Sequence, residues 1–221
     1  CLLDAALVAA AAAWAAEADK LPLLYETAFD KGADEWQPTE KDTWKIVEAD
    51  GNRFYSQYNR KATYKPPFRS PFHISLLKDV AVGDFVLTLR VRSTVPDYPH
   101  RDACIVFGYQ DPNRFYYAHL GKKPDALSCQ ITLVNQAPRK AITQYAGPGI
   151  PWDDKWHDVK IVRTTGDGTI EVYFDDMKKP VMTVKDKTFA WGRIGLGTFD
   201  DTADFDDVKL CGKKADKPAD H

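Results

Sequence analysis

Apolar and polar residues alternate in short runs along this chain, and glycine, proline, aspartate and asparagine separate the runs. In the clearest run, residues 84–92 (DFVLTLRVR), a bulky apolar side chain stands at each odd-numbered position. Successive side chains of a β-strand point to opposite faces of its sheet, so one face of this strand meets a core and the other faces outward. No long stretch has the period of an amphipathic helix. The chain is therefore predicted to be all-β.

The same alternation predicts thirteen strands. Turn residues separate several of them, as in Asp-Pro-Asn at 111–113 and Gly-Asp-Gly at 166–168. Strands at this spacing form two packed antiparallel sheets, and 221 residues suit one all-β domain, expected over residues 19–212. The predicted strands are Leu23–Phe29, Trp44–Val47, Arg53–Tyr58, Phe72–Leu77, Asp84–Arg92, Ala103–Tyr109, Arg114–Leu120, Ser128–Asn135, Trp156–Thr164, Thr169–Phe174, Val181–Val184, Arg193–Phe199 and Ala203–Leu210.

The two ends of the chain differ from the middle in composition. Residues 2–18 are rich in alanine and end in small residues, which is typical of a signal peptide; an N-terminal helix is the alternative. We interpret residues 1–18 as a signal-peptide remnant and expect a secreted or periplasmic protein. The apolar run is shorter than the roughly 20 residues that a membrane span needs. Residues 213–221 are charged and contain proline, so a disordered tail is expected.

Charge and cysteine content exclude several classes of protein. The formal net charge is −2, which gives no electrostatic reason to expect a nucleic acid partner. Three cysteines follow the leader, at positions 104, 129 and 211, and an odd number cannot pair completely within one chain. We expect no disulfide framework, and the spacing does not match a CxxC zinc knuckle.

Four segments together resemble a known superfamily: ETAFDKGADEW (Glu26–Trp36), TWKIVEADGNRFYS (Thr43–Ser56), WHDVKIVRTTGDGTIEVYFDD (Trp156–Asp176) and WGRIGLGTFDDTADFDDVKL (Trp191–Leu210). They resemble the concanavalin A-like/laminin G-like superfamily, and most closely the bacterial extracytoplasmic domains grouped with 3-keto-disaccharide hydrolases. The resemblance implies a two-sheet antiparallel jelly-roll sandwich. This fold carries lectins, hydrolases, lyases and spacers, so the resemblance is weak for activity. Residues 99–130 do not match the metal and carboxylate motifs of those hydrolases.

The resemblance also implies a structural calcium ion that joins the first and last strands. The matching positions are Glu26 or Asp30, Gly51 and Asp206. Oxygen ligands of this kind suit Ca²⁺. The alternative is that Asp206 and the following aspartate form a β-bulge with solvated carboxylates.

Alternation also predicts which side chains leave the core and face a groove. We expect six of them on the outward side of one sheet: Arg90, Arg92, Asp102, Tyr117, His119 and Gln130. Aromatic rings cover the apolar faces of sugars, and planar polar groups bind their hydroxyl or carboxylate groups. The alternative is an ordinary solvated sheet face with cross-strand pairs such as Arg90 with Asp102. The predicted binding residues are Arg90, Arg92, His100, Asp102 and Gln130.

If this groove is catalytic, the protein could be a lyase or a retaining hydrolase. A lyase acting on a uronate needs a base, Tyr117 or His119, and a group such as Arg90, Arg101 or Gln130 to neutralise the carboxylate. The predicted catalytic residues are therefore Tyr117, His119 and Arg101. A retaining hydrolase needs two carboxylates about 5 Å apart, and the groove offers only Asp102. We expect an extracytoplasmic protein that binds an oligo- or polysaccharide, with lyase or unusual glycosidase activity open. The alternative is a non-catalytic laminin-G-like adhesion or spacer module.

Overall fold

The computed structural model describes residues 21–215, and strands dominate it. Sixteen strands are present, and the one helix of these residues is a single 3₁₀ turn, Lys41–Thr43. The strands are β1 (Leu23–Thr27), β2 (Trp36–Pro38), β3 (Trp44–Ala49), β4 (Asn52–Gln57), β5 (His73–Leu77), β6 (Val82–Ser93), β7 (Cys104–Asp111), β8 (Arg114–His119), β9 (Gln130–Asn135), β10 (Lys140–Ala141), β11 (Tyr145–Ala146), β12 (His157–Arg163), β13 (Thr169–Phe174), β14 (Met182–Lys185), β15 (Arg193–Thr198) and β16 (Ala203–Lys214).

The strands form two antiparallel sheets. The nine-stranded sheet has the order β11-β14-β13-β12-β6-β16-β4-β3, with β1 paired to β16. The seven-stranded sheet has the order β10-β9-β8-β7-β15-β5-β2. Strands distant in the chain are neighbours in both sheets, as expected for a jelly roll. The prediction of an all-β, two-sheet antiparallel jelly-roll sandwich is confirmed.

The main hydrophobic core lies between the two sheets. Strand β6 contributes Phe85, Leu87, Leu89 and Val91, all buried, as its alternation predicted. The seven-stranded sheet contributes inward side chains such as Ile105. Burying one side chain of this size stabilises the fold by about 1.5–3 kcal/mol relative to leaving it in water.

A second hydrophobic cluster covers the outer face of the seven-stranded sheet. It contains nine buried side chains: Ile74, Leu76, Cys104, Val106, Tyr109, Phe115, Tyr117, Val134 and Phe199. Phe68 and Phe72 pack against it, and the Phe72 ring meets the Phe199 ring edge-on at 5.7 Å. Both phenylalanines belong to residues 58–72, which form no strand or helix. We call residues 58–72 the covering segment, because they bury much of the sheet face that was expected to form an open groove.

The structure changes the predicted boundaries at the C-terminal end. Strand β16 extends through Lys213 to Lys214, and Ala215 donates its backbone N–H to the carbonyl of Ala81. The first residues of the predicted tail are therefore part of the sandwich. Residues 216–221 and the predicted signal-peptide remnant, residues 1–18, lie outside the described residues. Between residues 21 and 215 no helix is long and apolar enough to cross a membrane.

Candidate functional site

The predicted binding residues lie on two different sheets. Arg90 and Arg92 are on β6 of the nine-stranded sheet, whereas Tyr117 and His119 are on β8 and Gln130 is on β9 of the seven-stranded sheet. The side chains alternate as predicted, but the outward faces of the two sheets lie on opposite sides of the sandwich. The prediction that all of them share one sheet face is wrong.

Arg90 and Arg92 form ion pairs on the nine-stranded sheet. Arg92 Nη2 lies 2.7 Å from Asp204 Oδ2, and Arg90 Nη1 lies 3.3 Å from Asp207 Oδ2. Both guanidinium groups lie close to the ring of Trp156, with Cζ 5.3 Å and 4.9 Å from its centroid. An open cavity of about 350 Å³ lies beside Arg92. Arg90 donates one and Arg92 two of their N–H groups to these carboxylates, and both guanidinium groups are held on the outer side of the nine-stranded sheet, away from Tyr117, His119 and Gln130.

Tyr117 does not face an open groove. Its side chain is fully buried, and its hydroxyl accepts a hydrogen bond from Arg139 Nη1 at 3.2 Å. Burial raises the pKa of Tyr117 to about 12. Its neighbours are rings of the second cluster, including Phe199. The expectation that Tyr117 is accessible is wrong, because alternation identifies the outward face but not whether another segment covers it. A catalytic role for Tyr117 therefore has no support in this geometry.

Arg101 is a buried connector. Its Nε donates to Ser93 Oγ, and its Nη2 donates to the Ser93 carbonyl and to Asp154 Oδ1, each at 2.9 Å. The side chain is 1% exposed. These bonds tie Arg101 to the end of β6 instead of directing it toward His119. The predicted catalytic role of Arg101 therefore has no support in this geometry either.

A chain of hydrogen bonds joins polar side chains at one end of the outer face of the seven-stranded sheet. Tyr98 Oη donates to Asp201 Oδ1 at 2.6 Å, and Asp201 Oδ2 accepts the backbone N–H of Asp102 at 3.0 Å. Asp102 Oδ2 lies 2.9 Å from His119 Nε2. We call the following residues the sheet-end cluster: Tyr98, His100, Asp102, His119, Gln130 and Asp201.

The loop before β9 continues this chain. Leu127 presents its carbonyl oxygen 2.8 Å from His119 Nδ1, and its N–H donates to Asp125 Oδ1 at 2.7 Å. Gln130 Nε2 donates to the Asp125 carbonyl at 3.0 Å. The N–H of Leu127, with smaller contributions from the nearby side chains of His100 and His119, lowers the pKa of Asp125. Four predicted residues, His100, Asp102, His119 and Gln130, are thus together at this end of the sheet.

The inner layer of the sheet-end cluster is buried. Asp102, His119 and Asp201 are 5%, 7% and 0% exposed. Burial raises the pKa of Asp201, although the Tyr98 hydroxyl opposes this by donating to its carboxylate. Asp102 Oδ1 is buried and has no hydrogen-bond partner. Buried polar groups are nearly always satisfied, so this oxygen marks a position where an additional group would be stabilised.

The outer layer is accessible. His100 is exposed, and Tyr98 and Gln130 are half-buried; Arg139, which borders the cluster and is counted with its outer layer from here on, is also half-buried. The Tyr98 and His100 rings have centroids 6.3 Å apart. Arg139 lies over the Phe199 ring, at 4.8 Å from Cζ to the centroid, and the same ring contacts His119 at 5.0 Å. This layer therefore combines rings with planar hydrogen-bonding groups.

Three members of this neighbourhood were not predicted from the sequence. Tyr98 and Asp201 lie in connections outside the strands, and Arg139 directly precedes β10. Their contacts span 22 to 103 residues of chain, from Arg139–Tyr117 to Tyr98–Asp201. No local pattern indicates such pairs. Cys104 was interpreted as an ordinary buried thiol, and it is a free, fully buried cysteine.

The predicted calcium ligands are only partly together. Asp206 is 1% exposed, and its Oδ2 accepts a hydrogen bond at 2.8 Å from Asn52, the residue after Gly51. Glu26 instead faces Lys209 Nζ at 3.6 Å, and Asp30 offers its carbonyl to Arg53. Asp206 therefore lies beside the Gly51 turn, with both carboxylate oxygens accepting hydrogen bonds, whereas Glu26 and Asp30 have other partners. Calcium binding stays a prediction.

The fold defines a concanavalin-like jelly roll, and solved structures of low sequence identity share it. The carbohydrate-binding module CBM66 from Bacillus subtilis matches with a TM-score of 0.56 at 17% identity, over 80% of this chain and 96% of that one. Domain 4 of AbnA, a GH43 extracellular arabinanase from Geobacillus stearothermophilus in complex with arabinotriose, matches with a TM-score of 0.57 at 12% identity, over 89% and 95%. A Bacillus subtilis protein of unknown function with a galectin-like fold matches with a TM-score of 0.55 at 12% identity, over 86% and 96%.

No family model and no curated protein matches the sequence. The structural matches establish the fold, and their identities are too low to establish more. The resemblance to the concanavalin A-like superfamily is thus confirmed at the level of fold. The finer resemblance to 3-keto-disaccharide hydrolases stays a prediction.

Proposed function

We propose that this protein binds a carbohydrate through the outer layer of the sheet-end cluster. The observation that carries the proposal is the convergence of His100, Asp102, His119 and Gln130 at one end of a sheet face, where hydrogen bonds hold Asp102, His119 and Gln130, and the Tyr98 ring lies beside His100. Two solved structures with this fold are described as a carbohydrate-binding module and as an arabinanase domain in complex with arabinotriose. Shared fold alone does not define function, so the convergent side chains matter more.

The outer layer has the chemistry that sugar recognition needs. Gln130 and Arg139 present planar donors for paired hydrogen bonds to adjacent hydroxyl groups. Tyr98 and His100 present rings that can pack against the apolar face of a pyranose or furanose. Tyr98 donates a hydrogen bond to Asp201, and Gln130 donates one to the Asp125 carbonyl, so two of these groups are held in place before a ligand arrives. Such preorganisation lowers the entropy cost of binding.

Binding is better supported than turnover. Of the three predicted catalytic residues, Tyr117 is sealed and Arg101 is committed to Ser93 and Asp154, which leaves His119 alone. A lyase requires a base together with a group that neutralises the uronate. Lyase or glycosidase activity is therefore the second proposal, and a non-catalytic adhesion or spacer module is the alternative that the experiment must exclude.

A glycan array with neutral and acidic oligosaccharides, followed by calorimetry on the best ligand, tests the proposal. We expect Gln130→Ala to weaken binding about tenfold, since one lost hydrogen bond of about 1.4 kcal/mol changes Kd by that factor. Arg90→Ala is the matched control, because Arg90 lies on the opposite sheet and should leave Kd unchanged. Equal losses in both variants, or no ligand on the array, would refute the assignment. An assay for unsaturated and reducing-end products on the same ligands distinguishes binding from turnover.

The compartment is also part of the proposal. The composition of residues 2–18 suggests export, and a neighbour with this fold is described as belonging to an extracellular enzyme. We place the glycan encounter in the periplasm or outside the cell. Cell fractionation with an antibody to the mature domain tests this, and a signal confined to the cytoplasm would contradict it.

A further inference from the structure

Asp102, Cys104 and His119 bring three metal-binding side chains together on the outer face of the seven-stranded sheet. Cys104 and His119 are directly opposite each other in the β7–β8 pair, and Asp102 precedes Cys104 by two positions. One carboxylate oxygen, the Cys104 Sγ and one ring nitrogen all lie within 4.8 Å of one another. No other group of three or more His, Cys, Asp or Glu side chains is arranged in this way within residues 21–215.

The hydrogen bonding of His119 and Asp102 is incomplete without a further group. A neutral imidazole has one N–H, but the two ring nitrogens of His119 both face acceptors, the Leu127 carbonyl at 2.8 Å and Asp102 Oδ2 at 2.9 Å. The other oxygen, Asp102 Oδ1, is buried without a partner. When Nδ1–H donates to the Leu127 carbonyl, the lone pair of Nε2 in a neutral imidazole faces Asp102 Oδ2, so in the metal-free protein the 2.9 Å contact requires a second N–H on Nε2. A metal ion bound by Nε2 and the carboxylate takes the place of that second proton.

We propose that Asp102, Cys104 and His119 bind a divalent transition metal ion, with zinc the best match. Thiolate and imidazole ligands favour zinc over calcium or magnesium, which prefer oxygen ligands. A backbone carbonyl on the second ring nitrogen is the outer contact that metal-binding histidines usually have, because it fixes the tautomer and the ring orientation. Three protein ligands leave a fourth position for water or a ligand atom. This site does not depend on the proposed glycan binding.

Three charged side chains surround the proposed ligands and affect the charge that a bound metal ion meets. The Asp201 carboxylate accepts the N–H of Asp102 and adds negative charge behind the ligands, while Arg60 Nη2 lies 3.6 Å from Asp201 and partly offsets it. Arg139 also lies near Cys104, but Tyr117 Oη and the Phe199 ring hold its guanidinium. The thiolate is the form of cysteine that binds a metal, so metal binding replaces the proton of the Cys104 thiol.

Cobalt(II) substitution tests the proposal directly, because a cobalt–thiolate bond gives a near-ultraviolet charge-transfer band that oxygen and nitrogen ligands do not give. We expect one equivalent of cobalt to produce this band in the wild-type protein after dialysis against EDTA. Cys104→Ala should abolish the band. Cys129→Ala is the matched control, since Cys129 is an equally buried free cysteine outside the site. It should keep the full band.

Absence of the band in the wild type, or its persistence in Cys104→Ala, would overturn the proposal. Should Cys104→Ala fail to fold, as judged by its circular dichroism in EDTA, Asp102→Asn keeps the thiol and the side-chain volume and is expected to weaken cobalt binding at least tenfold. Unchanged cobalt affinity in that variant would also count against the site. Glycan affinity is measured in parallel on the EDTA-treated protein, so that the metal site and the glycan site are tested independently.

Discussion

His119 Nε2 lies 2.9 Å from Asp102 Oδ2, and both side chains are more than nine-tenths buried. His119 is the last residue of β8, and Asp102 lies in the connection just before β7, so their contact links β8 to the connection that also carries Tyr98. The local arrangement of the sheet-end cluster therefore depends on this contact.

Removing one partner of this pair should destabilise the protein strongly. We expect His119→Ala to lower the free energy of unfolding by about 3–5 kcal/mol, because it leaves the Asp102 carboxylate buried without its partner. Urea denaturation in EDTA measures the change. The double variant Asp102→Ala/His119→Ala should lose much less than the sum of the single losses. Additive losses would show that the two side chains act independently.

We expect Arg101 to contribute to the stability of the fold and not to catalysis. Arg101→Ala removes two bonds to Ser93 and one to Asp154, and we expect a loss of about 3 kcal/mol in the free energy of unfolding. Arg101→Lys should restore little of it, since a single ammonium group cannot reproduce the planar fork of donors. The measurement is chemical denaturation of the three proteins side by side. Wild-type stability in Arg101→Ala would contradict the connector role and reopen the catalytic one.

Tyr117→Phe should leave glycan affinity unchanged, because the hydroxyl is sealed from the ligand side. The variant loses the hydrogen bond from Arg139, which we expect to cost about 1 kcal/mol of stability. Calorimetry with the ligand found on the array, together with thermal denaturation, checks both statements. A Kd raised tenfold with an intact fold would contradict this and would mean that the Tyr117 hydroxyl positions Arg139 for the ligand or reaches the ligand itself.

Calcium should stabilise the protein through Asp206, if the superfamily resemblance extends to this ion. Burial raises the pKa of Asp206, since its charged form is deprived of water, and a cation would favour that charged form. A ligand at 100 times its Kd stabilises the fold by about 2.7 kcal/mol, which is visible as a higher Tm. We expect calcium to raise the Tm of the wild type and not that of Asp206→Asn, with magnesium as the control salt. The same Tm in calcium and in EDTA would show that the protein has no stabilising calcium site.

Local periodicity was sufficient for thirteen of the sixteen strands and for their faces, and it missed only the short strands β2, β10 and β11. The inward set of β6 and the outward set of β8 follow directly from alternation, because side chains on a strand repeat every two residues. The sheet to which a strand belongs is a different question. Strand β6 pairs with β12 and β16, whereas β7 pairs with β8 and β15. These partners are set by packing across the whole chain, which explains why Arg90 was placed on the wrong sheet relative to His119.

Burial of the outer face of the seven-stranded sheet could not be predicted from the sequence for a similar reason. The covering segment has no period, and its prolines made it look like a connection between strands. Phe68 and Phe72 nevertheless pack on a sheet face that is itself apolar, because removing that surface from water stabilises the fold. The pairing of Asp201 with Asp102 across 99 residues could not be found locally either.

Side-chain NMR during a titration with the best oligosaccharide ligand tests the location of binding most directly. We expect the amide group of Gln130 and the ring signals of His100 and His119 to shift on binding, while the indole N–H of Trp156, beside Arg90 on the opposite side of the sandwich, stays in place. Shifts centred on Trp156 and the guanidinium of Arg90, with no change at Gln130, would contradict the assignment of the carbohydrate site to the sheet-end cluster.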